Sequence, residues 1–291
     1  MAEIRPRRSV LSMPGSNARA IEKARTLPAD CIMLDLEDSV APEAKDAARG
    51  LVAAAVEAGG FGRREVLVRV NGAESPGFAD DLAAARGAEA IVIPKINGAG
   101  DLALVREQLG EGPPIKLWTM IETPLAILNI RDIAAAAAHP LYPLAAFVIG
   151  PNDLARQTRA VRTADRLSML AWYSTCVLAA RAHGIDMIDG VFNDFRDELG
   201  FAADCSLGRK LGMDGKHLIH PTQIAGANAA FGPAPKEVAW SRKVLAAFEA
   251  PENAGLGVIA IDGEMVELLH AEIARRTVAL AEAIALMESG H

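Results

Sequence analysis

The sequence predicts an α/β protein, a (β/α)8 barrel of the TIM-barrel type with a C-terminal helical extension. Short apolar runs alternate eight times with longer, alanine-rich and charge-punctuated segments, a pattern typical of strand–helix units around a parallel sheet. The length of 291 residues suits one barrel of ~250 residues with a tail. An open doubly wound sheet is disfavoured, because a glycine-rich phosphate turn of the GxGxxG or GxxxxGKS/T kind is absent from the sequence.

The predicted strands are apolar on both faces, as the buried strands of a parallel sheet are. They cover residues 10–14, 31–37, 66–71, 90–95, 116–122, 147–153, 187–191 and 216–221. The segments between them have helical length and spacing, and they cover residues 17–27, 42–58, 77–86, 100–109, 124–138, 163–183 and 197–211. Eight such repeats favour a closed barrel.

The chain continues well beyond the eighth predicted strand. A Phe–Gly–Pro breaker at 231–233 is followed by a predicted helix near 236–248 and by a long amphipathic helix that ends near Met287. A barrel does not need this segment. We therefore predict a catalytic barrel domain at residues 1–230 and a helical arm at 231–291 that packs on the barrel or reaches a neighbouring subunit, of which the neighbouring subunit is favoured.

Composition and charge disfavour several classes of function. Hydrophobic residues make up 51% of the chain and charged residues 23%, which is enough for a large core and unlike a disordered chain. The net charge of -7 and the aromatic content of 4% disfavour a nucleic-acid partner, since phosphate binding needs clustered lysine and arginine. No apolar stretch approaches the ~20 residues that span a bilayer. Cys31, Cys176 and Cys205 are scattered and lack metal-ligand spacing, so we expect reduced thiols in a cytoplasmic protein without a membrane partner.

Polar side chains follow most of the predicted strands at their carboxyl ends. These ends carry the βα loops, where barrel enzymes hold their catalytic residues. Six predicted strands end in such residues, which include Asp35, Glu37, Asp38, Arg69, Asn71, Lys95, Glu122, Asn152, Asp153 and His220. One charged residue at a strand end is common in solvated loops. Six strands that converge on one rim indicate a functional site, because an inward carboxylate is costly without a cation.

Glu122 and Asp153 follow adjacent predicted strands, one βα unit apart. The histidines outside this rim show no ligand spacing and are interpreted as surface or structural residues: His139, His183, His217, His270 and His291. Two neighbouring carboxylates without histidine or cysteine suit a hard cation such as Mg²⁺, which keeps waters or substrate oxygens as further ligands. A structural alternative is that Arg69 or Lys95 neutralises the pair. The residues alone leave these two interpretations open.

Several short motifs occur in order along the chain. They are RSVL at 8–11, DLEDSV at 35–40, RVN at 69–71, PK at 94–95, IETP at 121–124, GPNDL at 150–154 and GKHLIHPTQ at 215–223. With these motifs the sequence resembles the citrate lyase beta-chain-like family, which includes malyl-CoA, citramalyl-CoA and related acyl-CoA lyases. That family belongs to the metal-dependent 2-oxo-acid aldolases with a barrel of the phosphoenolpyruvate/pyruvate type. The resemblance spans nearly the whole chain.

The resemblance implies roles for residues at the predicted rim. Glu122 and Asp153 would hold Mg²⁺ or Mn²⁺, and Glu122 would also contact the substrate. Arg69 would bind the oxygen of the 2-oxo acid, or of the alcohol that is cleaved, and take part in catalysis. Glu37 and Asp38 would assist catalysis by orienting metal-bound waters and Arg69, as the outer residues of metal sites usually do.

The implied activity is that of a Mg²⁺-dependent carbon–carbon lyase. It would cleave a 3-hydroxyacyl-CoA of the citryl-, malyl- or citramalyl-CoA type to a 2-oxo acid and an acyl-CoA. Coenzyme A would thus be part of the substrate, and Arg8 and Lys45 are candidates to pair with its phosphates. Two alternatives remain: a thioesterase acting on the same substrates, and a non-catalytic or carrier-dependent subunit of a citrate lyase complex.

In lyases of this group, an acidic residue from the C-terminal arm of a neighbouring subunit transfers the proton of the enolate. The corresponding position in this chain holds Glu267 where the family usually has aspartate, and a glutamate reaches one methylene further. Asp262 is the alternative, although aspartate is also a favoured helix N-cap. The arm implies a homo-oligomer, a trimer or a hexamer.

Overall fold

The computed structural model describes residues 4–289 of the chain. Its eight barrel strands are β1 (Ser9–Pro14), β2 (Cys31–Asp35), β3 (Glu65–Arg69), β4 (Ala90–Ile93), β5 (Lys116–Ile121), β6 (Leu144–Ile149), β7 (Asp186–Asp189) and β8 (Gly215–Leu218). The strands are parallel and follow each other around the barrel in chain order, and β8 pairs with β1 to close it. The predicted (β/α)8 barrel is confirmed.

Helices lie between the strands in sequence and pack on the outside of the barrel. They are α1 (Ala18–Ala24), α2 (Lys45–Ala58), α3 (Phe78–Ala85), α4 (Ala99–Leu109), α5 (Pro124–Leu128), α6 (Ile130–Ala135), α7 (Pro151–Thr158), α8 (Leu170–Ala182), α9 (Glu198–Lys210) and α10 (Ile224–Phe231). The main core lies between helices and strands, and alternate strand residues such as Leu11, Ile32 and Val68 contribute to it. None of the helices within residues 4–289 has the length and apolarity that crossing a bilayer requires.

The other strand residues fill the barrel interior as a second core. Met33, Leu67 and Trp118 are fully buried there. Because side chains alternate between the two faces of a strand, residues two positions further along face the interior at the carboxyl mouth. Asp35 and Arg69 are in this position and are direct neighbours in the sheet register.

Ion pairs close the amino mouth of the barrel. Arg7, just before β1, donates to both oxygens of Glu65 at 2.7 and 2.8 Å and to Asp186 at 2.8 Å. Its guanidinium also lies 4.8 Å from the ring centre of Trp118. Buried charges are found almost only as pairs, so we interpret these contacts as structural.

Some predicted boundaries are wrong by several residues. The strand predicted at 147–153 is Leu144–Ile149, and Pro151 begins α7 instead. The reason is that proline lacks the N–H that a strand ladder requires but fits the first turn of a helix. Helix α8 starts later than the helix predicted at 163–183, since Arg166 adopts a left-handed φ of 56° that no helix interior tolerates.

Residues from Gly232 onward form a second compact unit together with residues 4–6. It contains α11 (Pro235–Glu249), a hairpin of β9 (Val258–Ile261) and β10 (Glu264–Glu267), and α12 (Leu268–Glu288). Apolar side chains of the hairpin and of both helices form its core. The packing of a 231–291 arm on a neighbouring subunit stays a prediction. Its last two residues, and the first three of the predicted barrel domain, lie outside the described residues.

Candidate active site

The carboxyl mouth of the barrel opens into a cavity of about 430 Å³. Residues on β2, β3, β5, β6 and β8, or directly after these strands, line it, among them Asp35, Asp38, Arg69, Glu122, Asp153 and His217. Four of the predicted site residues therefore lie around one cavity. A fifth, Glu37, contacts Arg69.

Glu122 is a buried carboxylate without an ion pair among the described residues. It follows β5 directly, and only 3% of its surface is exposed. Its Oε1 accepts the backbone N–H of Lys95 at 2.8 Å. No side-chain nitrogen of a lysine, arginine or histidine among residues 4–289 lies within 4.0 Å of the carboxylate. Burial, and then the charge of Glu37, raise the pKa of Glu122 to about 7, so a cation in the cavity would stabilise its ionised form.

Two backbone features hold the Glu122 side chain in place. Gly150, at the start of α7, packs directly against it: a Cβ at this position would lie 2.3 Å from Glu122 Cβ and 2.7 Å from Oε2. Lys95 has a left-handed φ of 56°, which costs free energy in a residue other than glycine. The N–H that Glu122 accepts belongs to this strained residue. The rim is therefore shaped around one carboxylate.

Asp153 is the third residue of α7 and not, as predicted, the end of a strand. A carboxylate is favoured in the first turn of a helix because the N–H groups there leave a partial positive charge. Asp153 is partly exposed and accepts a hydrogen bond from Arg156 Nη2 at 2.6 Å. Its charge contributes to the raised pKa of Glu122, so the two carboxylates interact across the cavity.

The structure tests whether these residues fit a Mg²⁺ ion. The structural alternative was that Arg69 or Lys95 neutralises the two carboxylates. Neither forms an ion pair with Glu122, since Arg69 is paired with Asp35 and Lys95 with Glu37. Residues 4–289 contain no group of three or more His, Cys, Asp or Glu side chains that could hold a metal. Glu122 and Asp153 would therefore share the ion with waters or substrate oxygens, the usual pattern for Mg²⁺. The oxygen-only donors and the unpaired charge fit this cation.

Arg69 is held by Asp35, a residue without a predicted role. Its Nε and Nη2 donate to the two oxygens of Asp35 at 2.7 and 2.6 Å, and its Nη1 lies 3.2 Å from Glu37 Oε2. Asp35 also accepts the Ser39 hydroxyl at 2.5 Å. Burial by itself would lower the pKa of Arg69, but the charge and hydrogen bonds of Asp35, together with the charges of Glu37 and Glu122, outweigh it and the pKa is raised. The guanidinium is thus a permanent positive charge of fixed orientation at the cavity.

Lys95 connects the carboxylates at the outer rim. Its Nζ donates to Glu37 Oε1 and lies 3.6 Å from Asp38 Oδ1. Burial raises the pKa of Glu37, although the charge of Arg69 acts in the opposite direction. Glu37 is positioned to orient Arg69. Its predicted role toward metal-bound water, and that of the exposed Asp38, stay predictions.

His217, predicted as a surface or structural residue, lies in the barrel interior and lines the cavity. Its Cα is paired with that of Val10, which belongs to the interior core. Neighbours in a parallel register point to the same face of a sheet, so strand alternation was the signal in the sequence that indicates this position.

The sequence and the fold are similar to those of known proteins. A profile of the HpcH/HpaI aldolase/citrate lyase family matches residues 8–221. The chain belongs to this family. It is 48% identical over 282 residues to a (3S)-malyl-CoA thioesterase from Cereibacter sphaeroides, with 96% of both chains covered. It is 34% identical over 294 residues to citrate lyase subunit beta from Escherichia coli, with 98% of this chain and 96% of that protein covered.

A solved structure supports the same assignment to the HpcH/HpaI family. The fold is similar to that of CitE from Mycobacterium tuberculosis in complex with magnesium, acetoacetate and coenzyme A. The TM-score is 0.72 at 29% identity, with 93% of this chain and 97% of that chain covered. The resemblance that the motifs indicated is confirmed at the level of the family.

The two residues predicted to bind coenzyme A in this HpcH/HpaI family member are engaged elsewhere. Arg8 precedes β1 at the amino mouth and donates its backbone N and its Nε to Asp30 at 2.8 and 2.9 Å. Lys45 donates its Nζ to two backbone oxygens after β2 at 2.8 and 3.0 Å and to Asn71 at 2.6 Å. The prediction for Arg8 is corrected, because a ligand at the carboxyl mouth cannot reach it. That for Lys45 is not supported either, since its three ammonium hydrogens already have acceptors.

The acidic candidates near the end of the chain lie in the second unit. Glu267 ends β10, is half-buried, and its backbone N–H donates to His270 Nδ1 at 2.9 Å. The sequence offered Asp262 as a possible N-cap of α12, but it does not cap this helix. It lies in the hairpin turn with a φ of 53° and pairs with Lys243. The approach of Glu267 to the site of a neighbouring subunit stays a prediction.

Proposed function

We propose that this protein is a Mg²⁺-dependent enzyme that hydrolyses the thioester of a small 3-hydroxyacyl-CoA of the malyl type. The observation that carries the proposal is Glu122, a buried carboxylate without an ion pair in the described chain, lining one cavity with Asp153 and Arg69. A cation and a fixed guanidinium side by side suit the acid half of such a substrate. The 48% identity to a (3S)-malyl-CoA thioesterase, over 96% of both chains, supports hydrolysis as the reaction.

The side chains divide the work at this site. Glu122, directly after β5, and Asp153, in the first turn of α7, would hold the cation. Bound Mg²⁺ supplies a Lewis acid and a template for the oxygens of the acid half. Arg69 provides positive charge where negative charge develops on oxygen, and Asp35 keeps the guanidinium from turning away. Water then replaces the sulfur at the thioester carbon, which releases the hydroxy acid and the thiol of coenzyme A.

Carbon–carbon cleavage of the same substrate class is the second candidate reaction. It is supported by the 34% identity to citrate lyase subunit beta. In this reaction the hydroxyl group loses its proton, the bond to the neighbouring carbon breaks to give a 2-oxo acid, and the acyl-CoA enolate takes up a proton. Glu267 of a neighbouring subunit would supply that proton. Both reactions need the acid half held in the same way and differ at the thioester side.

A non-catalytic or carrier-dependent subunit has less support. A scaffold has no use for Glu122, since burying an unpaired carboxylate opposes folding at neutral pH. Dependence on a carrier would appear as activity on a carrier-protein thioester but not on free coenzyme A esters.

The test uses the full chain with Mg²⁺ and malyl-, citramalyl- or citryl-CoA, and it measures free thiol and 2-oxo acid in parallel. Hydrolysis releases thiol without 2-oxo acid, whereas lyase activity releases 2-oxo acid without thiol. Glu122→Gln should abolish either product, and Glu57→Gln, at an exposed position of α2, is the matched control. If none of the three substrates gives either product, the proposal is wrong.

We further propose that the protein forms a homo-oligomer, a trimer or a hexamer, through the C-terminal unit. Sedimentation velocity at assay concentration measures this directly. A monomer that retains full activity would contradict a contribution of Glu267 from a neighbour. The cytoplasmic location stays a prediction from the sequence.

A further inference from the structure

His217 is a polar residue that is buried in the barrel interior. It lies on β8 in register with Val10, and only 4% of its surface is exposed. Its ring lines the same cavity as Arg69 and Glu122. An apolar side chain would fill this position without a polar atom to satisfy.

Both ring nitrogens of His217 are buried, and neither has a hydrogen-bond partner among residues 4–289. A buried donor or acceptor without a partner destabilises a fold, and native proteins keep few of them. An imidazole that borders a cavity can find its partner in a ligand. A hydrogen bond from the ligand would then satisfy the buried nitrogen, so the free energy lost on burying it would be recovered on binding.

Burial, together with the charge of Arg69, keeps the His217 ring neutral. Burial, and then the positive charge of Arg69, lower the pKa of His217 to about 3, although the charge of Asp35 acts in the opposite direction. At neutral pH the ring therefore carries one N–H donor and one acceptor nitrogen. A neutral N–H donor beside a guanidinium suits a carboxylate. The carboxylate can accept hydrogen bonds from both groups, and of the two only the guanidinium carries a full positive charge.

We propose that His217 is a positioning residue that donates an imidazole N–H to the carboxylate of the hydroxy-acid half of the substrate, beside Arg69. This inference rests on the proposed function of the cavity. The hydrogen bond from His217, on β8, would fix the orientation of the hydroxy-acid half of the substrate at the cation. The carboxylate then has two differently placed donors, and the rest of the substrate is directed toward the opening of the cavity.

The experiment measures binding of pyruvate and of methyl pyruvate to the full chain by calorimetry in the presence of Mg²⁺. Methyl pyruvate keeps the oxo group but lacks the carboxylate charge. His217→Leu removes both nitrogens at similar volume, His217→Asn and His217→Gln each restore a donor, and His183→Leu, at the exposed end of α8, is the control. His217→Phe replaces the leucine variant if that variant does not fold.

We expect His217→Leu to bind pyruvate about tenfold to a hundredfold more weakly than the parent, as for loss of one hydrogen bond to a charged group. Methyl pyruvate and Mg²⁺ affinities should change less than about twofold, and asparagine or glutamine should recover part of the pyruvate affinity. Equal pyruvate affinity in parent and His217→Leu overturns the inference, as does an equal loss for pyruvate and methyl pyruvate.

The parent distinguishes failure of this inference from failure of the proposed function. If the parent binds pyruvate only with Mg²⁺ and Glu122→Gln does not bind it, the cavity has the proposed chemistry and the His217 variants decide the inference. If the parent does not bind pyruvate with Mg²⁺, the proposed function and the inference both fall.

Discussion

Replacement of Glu122 by glutamine separates the burial of this side chain from its charge. Glutamine keeps the size of the side chain and the oxygen that accepts the Lys95 N–H, but it cannot ionise. The pKa of Glu122 is raised from 4.5 to about 7, mainly by burial. This corresponds to about 3 kcal/mol that the ionised carboxylate takes from the stability of the metal-free protein.

The pH dependence of this effect has a definite sign. Well below pH 4.5 the carboxyl group is protonated in the folded and the unfolded chain and makes no difference. Between pH 4.5 and pH 7 the folded chain retains a proton that the unfolded chain releases, so stability falls as the pH rises. We therefore expect Glu122→Gln to gain stability over the parent across this window. The gain in melting temperature approaches roughly 6–12 °C, at about 2–4 °C per kcal/mol.

Thermal unfolding followed by circular dichroism, with EDTA or with Mg²⁺ across this pH range, measures the effect. Mg²⁺ should stabilise the parent at neutral pH by about 2.7 kcal/mol at a hundred times its Kd and leave the variant unchanged. Glu57→Gln should behave like the parent throughout. A difference between parent and Glu122→Gln that does not vary with pH, or equal stabilisation of both by Mg²⁺, would refute the reasoning.

Two further substitutions test the surroundings of the site, and a third tests a buried ion pair that does not line the cavity. Gly150→Ala places a methyl group 2.3 Å from Glu122 Cβ, so the carboxylate must move. Mg²⁺ binding should weaken at least about tenfold in a calorimetric titration, and an unchanged titration contradicts this. Arg69→Lys keeps the charge but loses the paired donation to Asp35, so kcat/KM should fall at least about tenfold while Mg²⁺ affinity holds. Lys216→Met removes a fully buried cation that donates to Asp189 at 2.8 Å, and urea unfolding should show a loss of about 3–5 kcal/mol; a loss below about 1 kcal/mol would mean that this pair is not needed.

The position of a polar residue relative to its strand was readable from the sequence, and the same information corrects the role predicted for Arg8 and places Asp35 at the site. Arg8 precedes the first strand, which places it at the amino mouth, away from the loops that carry chemistry in barrels. Asp35 ends β2 two residues after the interior-facing Met33 and therefore faces the same interior. Strand alternation thus contained the positions of both residues.

The partners of the charged residues were not readable in this way. Arg69 pairs with Asp35, 34 positions away in the sequence, and leaves Glu122 without an ion pair in the described chain. Lys95 gives its ammonium group to Glu37 and only its backbone N–H to Glu122. Which cation meets which carboxylate depends on the register and stagger of strands that are distant in sequence.

The sequence by itself determined the barrel, the family and the set of acidic and basic residues at the strand ends, because periodicity and ordered motifs are local properties of the chain. Only the tertiary structure decided that, among residues 4–289, Glu122 has no ion pair and the buried ring nitrogens of His217 have no hydrogen-bond partner. It also decided that Gly150 and the strained Lys95 backbone hold the Glu122 side chain. These properties depend on distances of a few ångströms between separate strands. Burial and Coulomb interactions change steeply over such distances, and no pattern along one strand encodes them.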